Sequence, residues 1–354
     1  MKTRIGFVLT LAAAAVACSG KPGEPPSAST PSSGARVSVT GAGATFPYPL
    51  YSKWFDEYHK RHPGVEINYQ SQGSGAGVRQ MLAGTVDFGA SDMPMTDEQL
   101  GQAKVKVLHF PTVLGAVVPT YNVAGITQDL NFTPDALAGI FLGTIKKWND
   151  PAIARENAGI TLPASDIVVV HRSDGSGTTF VWTDYLSKVS PAWKLRVGSN
   201  SSVNWPVGLG GKGNEGVTGL VKQTPNSIGY VELLYAVQNE LAYGAVRNAA
   251  GTFLKADLAG VTAAAAATAA TMPDDFRVSI TNAAGPDAYP IASFTWLLVP
   301  AHIADQNRGK AIVDFLQWML ADGQSMAAPL SYAPLPKEVV AKERQTIAQV
   351  HVGS

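Results

Sequence analysis

Apolar and polar positions alternate over RVSVT (36–40), a period of two that predicts a strand. From Tyr48 the spacing changes: Leu50, Trp54, Phe55 and Tyr58 fall on one helical face, and Pro63-Gly64 stops the run. VEINYQSQ (65–72) predicts a second strand, and in the GSGAGVRQMLAGTV that follows, Val78, Met81 and Leu82 return to helical spacing. VDFGASD (86–92) predicts a third strand running into a loop. The unit repeated here is short strand, small-residue loop, helix. That is the signature of an α/β fold with a largely parallel sheet, whose ligands sit beyond the carboxyl ends of the strands.

Two later apolar runs are longer than one strand of such a sheet needs. VKVLHFPTVLGAVVPTYNV (105–123) can pass from one domain to another, and YPIASFTWLLVP (289–300) can return the chain. Between them, helical DALAGIFLG (135–143) and strand-like DIVVVHRSD (166–174) begin a second copy of the scheme. RGKAIVDFLQWMLADG (308–323) is an amphipathic helix with Ile312, Phe315, Leu316 and Met319 on one face. Two crossings predict two hinged α/β lobes, one of residues 37–114 plus 290–354 and the other of 115–289. AGVTAAAAATAAT (259–271) is alanine-rich and is expected to be a surface helix or an expansion without a functional role.

A length of 354 residues fits two domains, and 45% hydrophobic against 15% charged residues fits a folded, buried body. The formal net charge of zero argues against a nucleic-acid partner, but one arginine in a cleft still suffices for a small anion. The first residues are not part of that body. Lys2 and Arg4 precede an apolar stretch, Ile5 to Ala17, too short to span a membrane, so residues 1–17 read as a secretory signal. Ala15-Val16-Ala17 is a cleavage site of the A-x-A type, and Ala-Val-Ala-Cys resembles a bacterial lipobox. Cys18, the single cysteine, stands where a lipid would be attached, and residues 18–36 form a Pro/Ser/Gly tether. The alternative is cleavage after Ala17, leaving Cys18 free. One cysteine permits no disulfide within the chain.

Three small-residue loops at predicted helix starts carry hydroxyls: Thr45 in GAGATF, Ser74 in GSGAG, and Ser176 with Thr178 in DGSGTT. Helix N-termini offer unsatisfied N–H groups and the positive end of the helix dipole, and glycines let those amides approach a ligand. Arg172 adds a planar cation suited to phosphate or carboxylate, and Asp174 is placed to orient it. Enzyme signatures fit poorly. Ser176 lies in D-G-S-G-T, not in the G-x-S-x-G elbow of hydrolases. GLGGKG (208–213) has glycines at dinucleotide spacing but no clear strand before it, and Gly213 stands where a phosphate-binding P-loop needs Ser or Thr. His59 and His62 read as a solvated helix face, and nothing has zinc spacing.

TGAGATFPYPLY (40–51), VDFGASDMPM (86–95), FPTVLGAVV (110–118), GTIKKWNDPAI (143–153), HRSDGSGTTFVWTDYL (171–186), WPVGLGGKGNEGV (205–217) and SIGYVE (227–232) together resemble the periplasmic phosphate-binding proteins of the Pst-type ABC phosphate transporter. The resemblance covers nearly all of residues 38–340. It implies a type II periplasmic binding fold, with two α/β lobes joined by crossover strands and closing over one dehydrated phosphate. Carried onto this chain, the ligand touches Thr45, the Phe46 N–H, Ser74, Asp92, Arg172, Ser176, the Gly177 N–H and Thr178.

Asp92 comes from the resemblance alone, and a carboxylate in an anion site needs a reason. Phosphate near neutral pH keeps a proton and sulfate keeps none, so a carboxylate that accepts the P–O–H bond selects phosphate. Sites built around a substrate OH reject analogues lacking it by about 10⁴–10⁵-fold. Two departures stand out: His171 where a second basic residue is more usual beside Arg172, and Gly75 where a second serine is usual.

The resemblance further implies a monomer without a cofactor, delivering inorganic phosphate to membrane permease and ATPase subunits and held at the membrane through Cys18. Competing readings are a phosphate-ester hydrolase using Ser176 with His171, a receptor for another oxyanion, and a surface-anchored phosphate sensor.

Overall fold

The computed structural model describes residues 36–268 and 272–353. The proposed signal, Cys18 and nearly all of the tether lie outside the described residues, as does the end of the alanine-rich segment. The principal elements are β1 (Val37–Gly43), α1 (Tyr48–Arg61), β2 (Val65–Ser71), α2 (Ser74–Ala83), β3 (Phe88–Ser91), β4 (Val107–Asn122), α3 (Pro134–Leu142), β5 (Val168–Arg172), α4 (Gly177–Val189), β6 (Leu209–Gly211), α5 (Gly213–Gln223), β7 (Ser227–Glu232), α6 (Leu233–Gln238), α7 (Leu258–Ala266), β8 (Ala292–Pro300) and α8 (Gln306–Ala321).

Local chemistry accounts for the element ends. Pro49 sits in the first turn of α1, where its missing N–H has no intrahelical partner to lose, and His59, Lys60 and Arg61 face the negative end of the dipole. Thr133 caps α3 by accepting from the Ala136 N–H, and Gly143 closes it in the left-handed region. The predicted face of α1 is buried, with Tyr51 added to Leu50, Trp54, Phe55 and Tyr58. Aromatic rings of α1 pack on those of α8: Phe55 and Tyr58 lie 5.4 and 5.3 Å from Phe315, centroid to centroid.

The strands form one sheet in the order β2-β1-β3-β8-β4-β7-β5-β6, with a short Ala242–Tyr243 strand also paired to β4. β1 runs parallel to β2 and β3, and β5 runs parallel to β6 and β7. The two long runs predicted to cross between lobes are β4 and β8, and they are antiparallel to each other. β4 changes partner midway. Val107 to Ala116 pair with β8, and Val117 to Asn122 pair with β7. One strand thus belongs to both halves of the sheet.

Register along β4 and β8 slips once. Thr295 pairs with Val113 but Trp296 pairs with Pro111, leaving Thr112 as the extra residue of a bulge. Pro111 has no N–H to give the ladder, and a bulge is where a sheet tolerates that.

The alanine-rich segment differs from expectation. Its described part forms α7, but the helix is not a surface decoration: Gly260, Val261, Ala264 and Ala265 are buried, and the helix packs on β4 and β8. Small side chains allow that approach, and the Gly260 carbonyl accepts from the Tyr289 N–H at 3.0 Å.

Candidate functional site

Five strand ends converge. The loop after β1 carries Thr45 and Phe46, the start of α2 carries Ser74, and Asp92 follows β3 directly. From the other half of the sheet, β5 ends on Arg172, α4 opens with Ser176 as its cap, and α5 opens with Gly213 and Asn214. Thr45, Phe46, Ser74, Asp92, Arg172, Ser176 and Thr178 are all 3% exposed or less, so every candidate side chain is withdrawn from solvent. The two sides meet at Gly177. A Cβ there would lie 2.5 Å from Asp92 Oδ2 and from Ser74 Oγ, so a larger residue would have to push the facing side chains away. Nearby the Gly75 N–H donates to the Gly175 carbonyl at 2.9 Å. A cavity of about 260 Å³ beside this contact is lined by Ser74, Gly75, Arg79, Gly175 and Ser201, among others.

Arg172 is fixed as its neighbour Asp174 predicts. Its Nε and Nη2 donate to the two carboxylate oxygens of Asp174 at 2.8 and 2.6 Å. Nη1 remains for the site and reaches Thr178 Oγ1 at 3.3 Å. Burial alone would raise the Asp174 carboxyl, but the Arg172 bonds outweigh it and hold the group below its usual range. Asp174 also accepts from the Gly213 N–H at 3.0 Å, which ties the α5 loop to the arginine.

Asp92 is in the opposite state. Burial pushes its carboxyl up to about 7, against the Thr295 hydrogen bond, the Arg172 charge and the Ser74 hydroxyl. Thr295 Oγ1 donates to Oδ1 at 2.7 Å, and the Ser74 hydroxyl lies 3.4 Å from Oδ2. The site therefore holds a guanidinium and, within reach of its charge, a buried carboxyl that gains or loses one proton near neutrality.

Backbone donors are left without partners at these loops. Gly177 and Thr178 are the first residues of α4 and have no intrahelical acceptors for their N–H groups. The Phe46 N–H has no hydrogen-bond acceptor among the described residues. Ser176 Oγ accepts from the Thr179 N–H at 3.0 Å, the geometry of a helix cap. His171 is directed elsewhere: its Nδ1 lies 3.0 Å from the Arg172 carbonyl, and its ring stacks on Trp205 with centroids 4.8 Å apart.

Sequence reasoning missed Asn214, Tyr230, Tyr235 and Thr295. Asn214 bridges the halves: its Nδ2 donates to Thr45 Oγ1 at 2.8 Å and to Thr178 Oγ1 at 3.2 Å. It opens α5 after GLGGKG, the glycine-rich stretch set aside for want of a preceding strand. No strand precedes it, as that reading expects; a three-residue strand, β6, lies inside the motif instead. Tyr230 receives the Arg172 N–H at 3.2 Å and shares a 2.7 Å bond with Thr179, holding the arginine's backbone against α4.

Among the described residues no cluster of His, Cys, Asp and Glu is arranged to hold a metal ion, and no helix is long and apolar enough to cross a membrane. A family model described as PBP superfamily domain matches residues 28–323. The chain is 48% identical over 305 residues to the phosphate-binding protein PstS of Pasteurella multocida, covering 86% of this chain and 88% of that protein. The chain belongs to the PstS phosphate-binding protein family. The PstS of Xylella fastidiosa strain Temecula1 is 47% identical, over 89% of this chain and 85% of its own length. The fold of this PstS family member is also that of a solved phosphate-binding protein from Stenotrophomonas maltophilia, with a TM-score of 0.68 at 21% identity, covering 87% of this chain and 93% of that one. The architecture is accordingly the two-lobed type II periplasmic binding fold.

Proposed function

We propose that this protein captures inorganic phosphate between its two lobes, residues 37–114 with 290–354 and residues 115–289, and delivers it to an ABC-type permease with ATPase subunits. The observation that carries the reading is the convergence, at buried strand ends, of Arg172, already fixed by Asp174, and Asp92, whose carboxyl feels the Arg172 charge without bonding to it. Arg172 Nη1, the N–H groups of Phe46, Gly177 and Thr178, and the hydroxyls of Thr45, Ser74, Ser176 and Thr178 supply bonds to phosphate oxygens. Asp92 accepts the one remaining P–O–H. In its ionised form Asp92 can only accept; sulfate brings no proton, so it meets an uncompensated carboxylate. The names of the relatives support phosphate as the ligand.

Ser176 holds the ligand and does not attack it. Its oxygen is engaged as a helix cap, and His171, the base a hydrolase would need, is bonded to a backbone carbonyl. The protein works outside the cytoplasmic membrane as a monomer tethered by a lipid on Cys18, and Cys18→Ala would move it from the membrane to the soluble fraction.

The deciding experiment is calorimetric titration of residues 37–354, stripped of ligand, with phosphate and then sulfate at neutral pH. Tight phosphate binding without sulfate heat is expected. Heat from both anions would overturn Asp92 as the proton reader, and heat from neither would overturn the site.

A further inference from the structure

The loop that carries the Phe46 N–H is gripped from the opposite lobe. Tyr235, in α6, donates its hydroxyl to the Thr45 carbonyl at 2.6 Å. That carbonyl and the Phe46 N–H belong to one planar trans peptide and point in opposite directions. The Thr45 carbonyl also accepts from the Tyr48 N–H at 3.2 Å, so both of its lone pairs are engaged and the peptide plane is fixed. A hydrogen bond to the carbonyl of an amide polarises it and strengthens its N–H as a donor. The geometry points to Tyr235 as a positioning residue for phosphate capture, aiming and strengthening the Phe46 N–H when the lobes come together. This inference rests on the phosphate reading given above.

Three details support it. The Tyr235 hydroxyl is buried and stays un-ionised far above its ordinary range, so it remains a donor. Its one hydrogen has two acceptors in reach, the Thr45 carbonyl at 2.6 Å and Glu215 Oε1 at 3.0 Å, and the carbonyl is the nearer. Asn214 makes the companion attachment from the same lobe to the Thr45 side chain. Closure therefore grips Thr45 by both its carbonyl and its hydroxyl.

Tyr332 provides the internal comparison. Its hydroxyl donates to the next carbonyl, that of Phe46, at 2.6 Å. The nitrogen of that peptide belongs to Pro47 and has no hydrogen to strengthen. Two tyrosines thus hold one loop, and only one of them acts on a donor.

The test is Tyr235→Phe, which removes the hydroxyl and keeps the ring, with Tyr332→Phe beside it. Inorganic phosphate is the ligand, and the readouts are affinity, release rate and the amide proton resonance of Phe46 in the phosphate-loaded full chain. Y235F is expected to bind about tenfold more weakly, mostly through faster release. Its Phe46 amide resonance should move while that of Gly177 stays, and Y332F should leave the Phe46 amide nearly in place. Wild-type protein that binds phosphate, with Y235F equal to it in affinity and in the Phe46 resonance, would overturn the role of Tyr235 alone. Equal displacement by Y235F and Y332F would overturn it too, because loosening of the loop would then explain both. Wild-type protein that binds no phosphate overturns the underlying reading of the site.

Discussion

Thr295 donates its hydroxyl to Asp92 at 2.7 Å, and it does so from the strand that slips register at that residue. The bulge and the carboxyl are thus one device. A hydrogen bond to a charged group is worth about 1.5–3 kcal/mol. Thr295→Val should therefore push the Asp92 carboxyl above its present value and weaken phosphate binding by roughly ten- to a hundredfold. Titration calorimetry at constant pH checks this, and unchanged affinity would show that Asp92 needs no support from β8.

Asp92 also makes the ligand-free fold sensitive to pH. Its folded-state value of about 7 lies above the ordinary value of 3.8, so between the two the folded chain holds a proton that the unfolded chain has released. Its stabilising contribution is complete below about pH 4 and is lost as pH rises through 7. Denaturant midpoints of stripped wild-type protein should fall relative to those of Asp92→Asn across that window. Parallel profiles would contradict the assignment.

Arg172→Lys should fail to replace arginine. The Asp174 pairing uses Nε and Nη2 of a planar fork and leaves Nη1 for the site, a division that one ammonium cannot reproduce. Phosphate affinity is expected to fall at least a hundredfold in both Arg172→Lys and Arg172→Ala. Arg172→Ala should also lower the unfolding free energy, because Asp174 loses its cation and keeps only the Gly213 N–H. Affinity in Arg172→Lys within threefold of wild type would remove the bidentate argument.

Gly177→Ala places a methyl group against Asp92 and Ser74. Overpacking of this kind costs about 1–3 kcal/mol, and here it opposes approach of the two halves. Affinity should fall about ten- to a hundredfold with little change in the melting temperature of the ligand-free protein. A large drop in melting temperature would mean that the contact supports the fold itself.

The hydroxyl-bearing loops and Arg172 were legible because each is a local pattern: glycines, a hydroxyl and a helix start within a few residues. Alternating strands and the faces of α1 and α8 were legible for the same reason. Asp92 entered only through family resemblance, since its neighbours say nothing of the arginine whose charge reaches it across the sheet. Thr295 was invisible because its role depends on a register slip between β4 and β8, residues far apart in the chain. Tyr235 and Asn214 had to be carried across the cleft by the fold before they could touch Thr45. Asn214 had a readable signal, a glycine-rich turn opening a helix, as in the GSGAG loop. The burial of α7 was not legible because alanine fits exposed and packed helices alike.

The shared strand β4 sets an order on folding. β3 and the first part of β4 find their common neighbour only in β8, so the sheet from Val37 onward stays open until the chain beyond Ala292 has been made. Pairing at such separation is slow, because a long loop must close before any contact rewards it. A chain ending before Ala292 would present two bare apolar edges, Phe88–Ser91 and Val107–Ala116, each a template for another copy. Truncation there is expected to give aggregate, not a free-standing lobe.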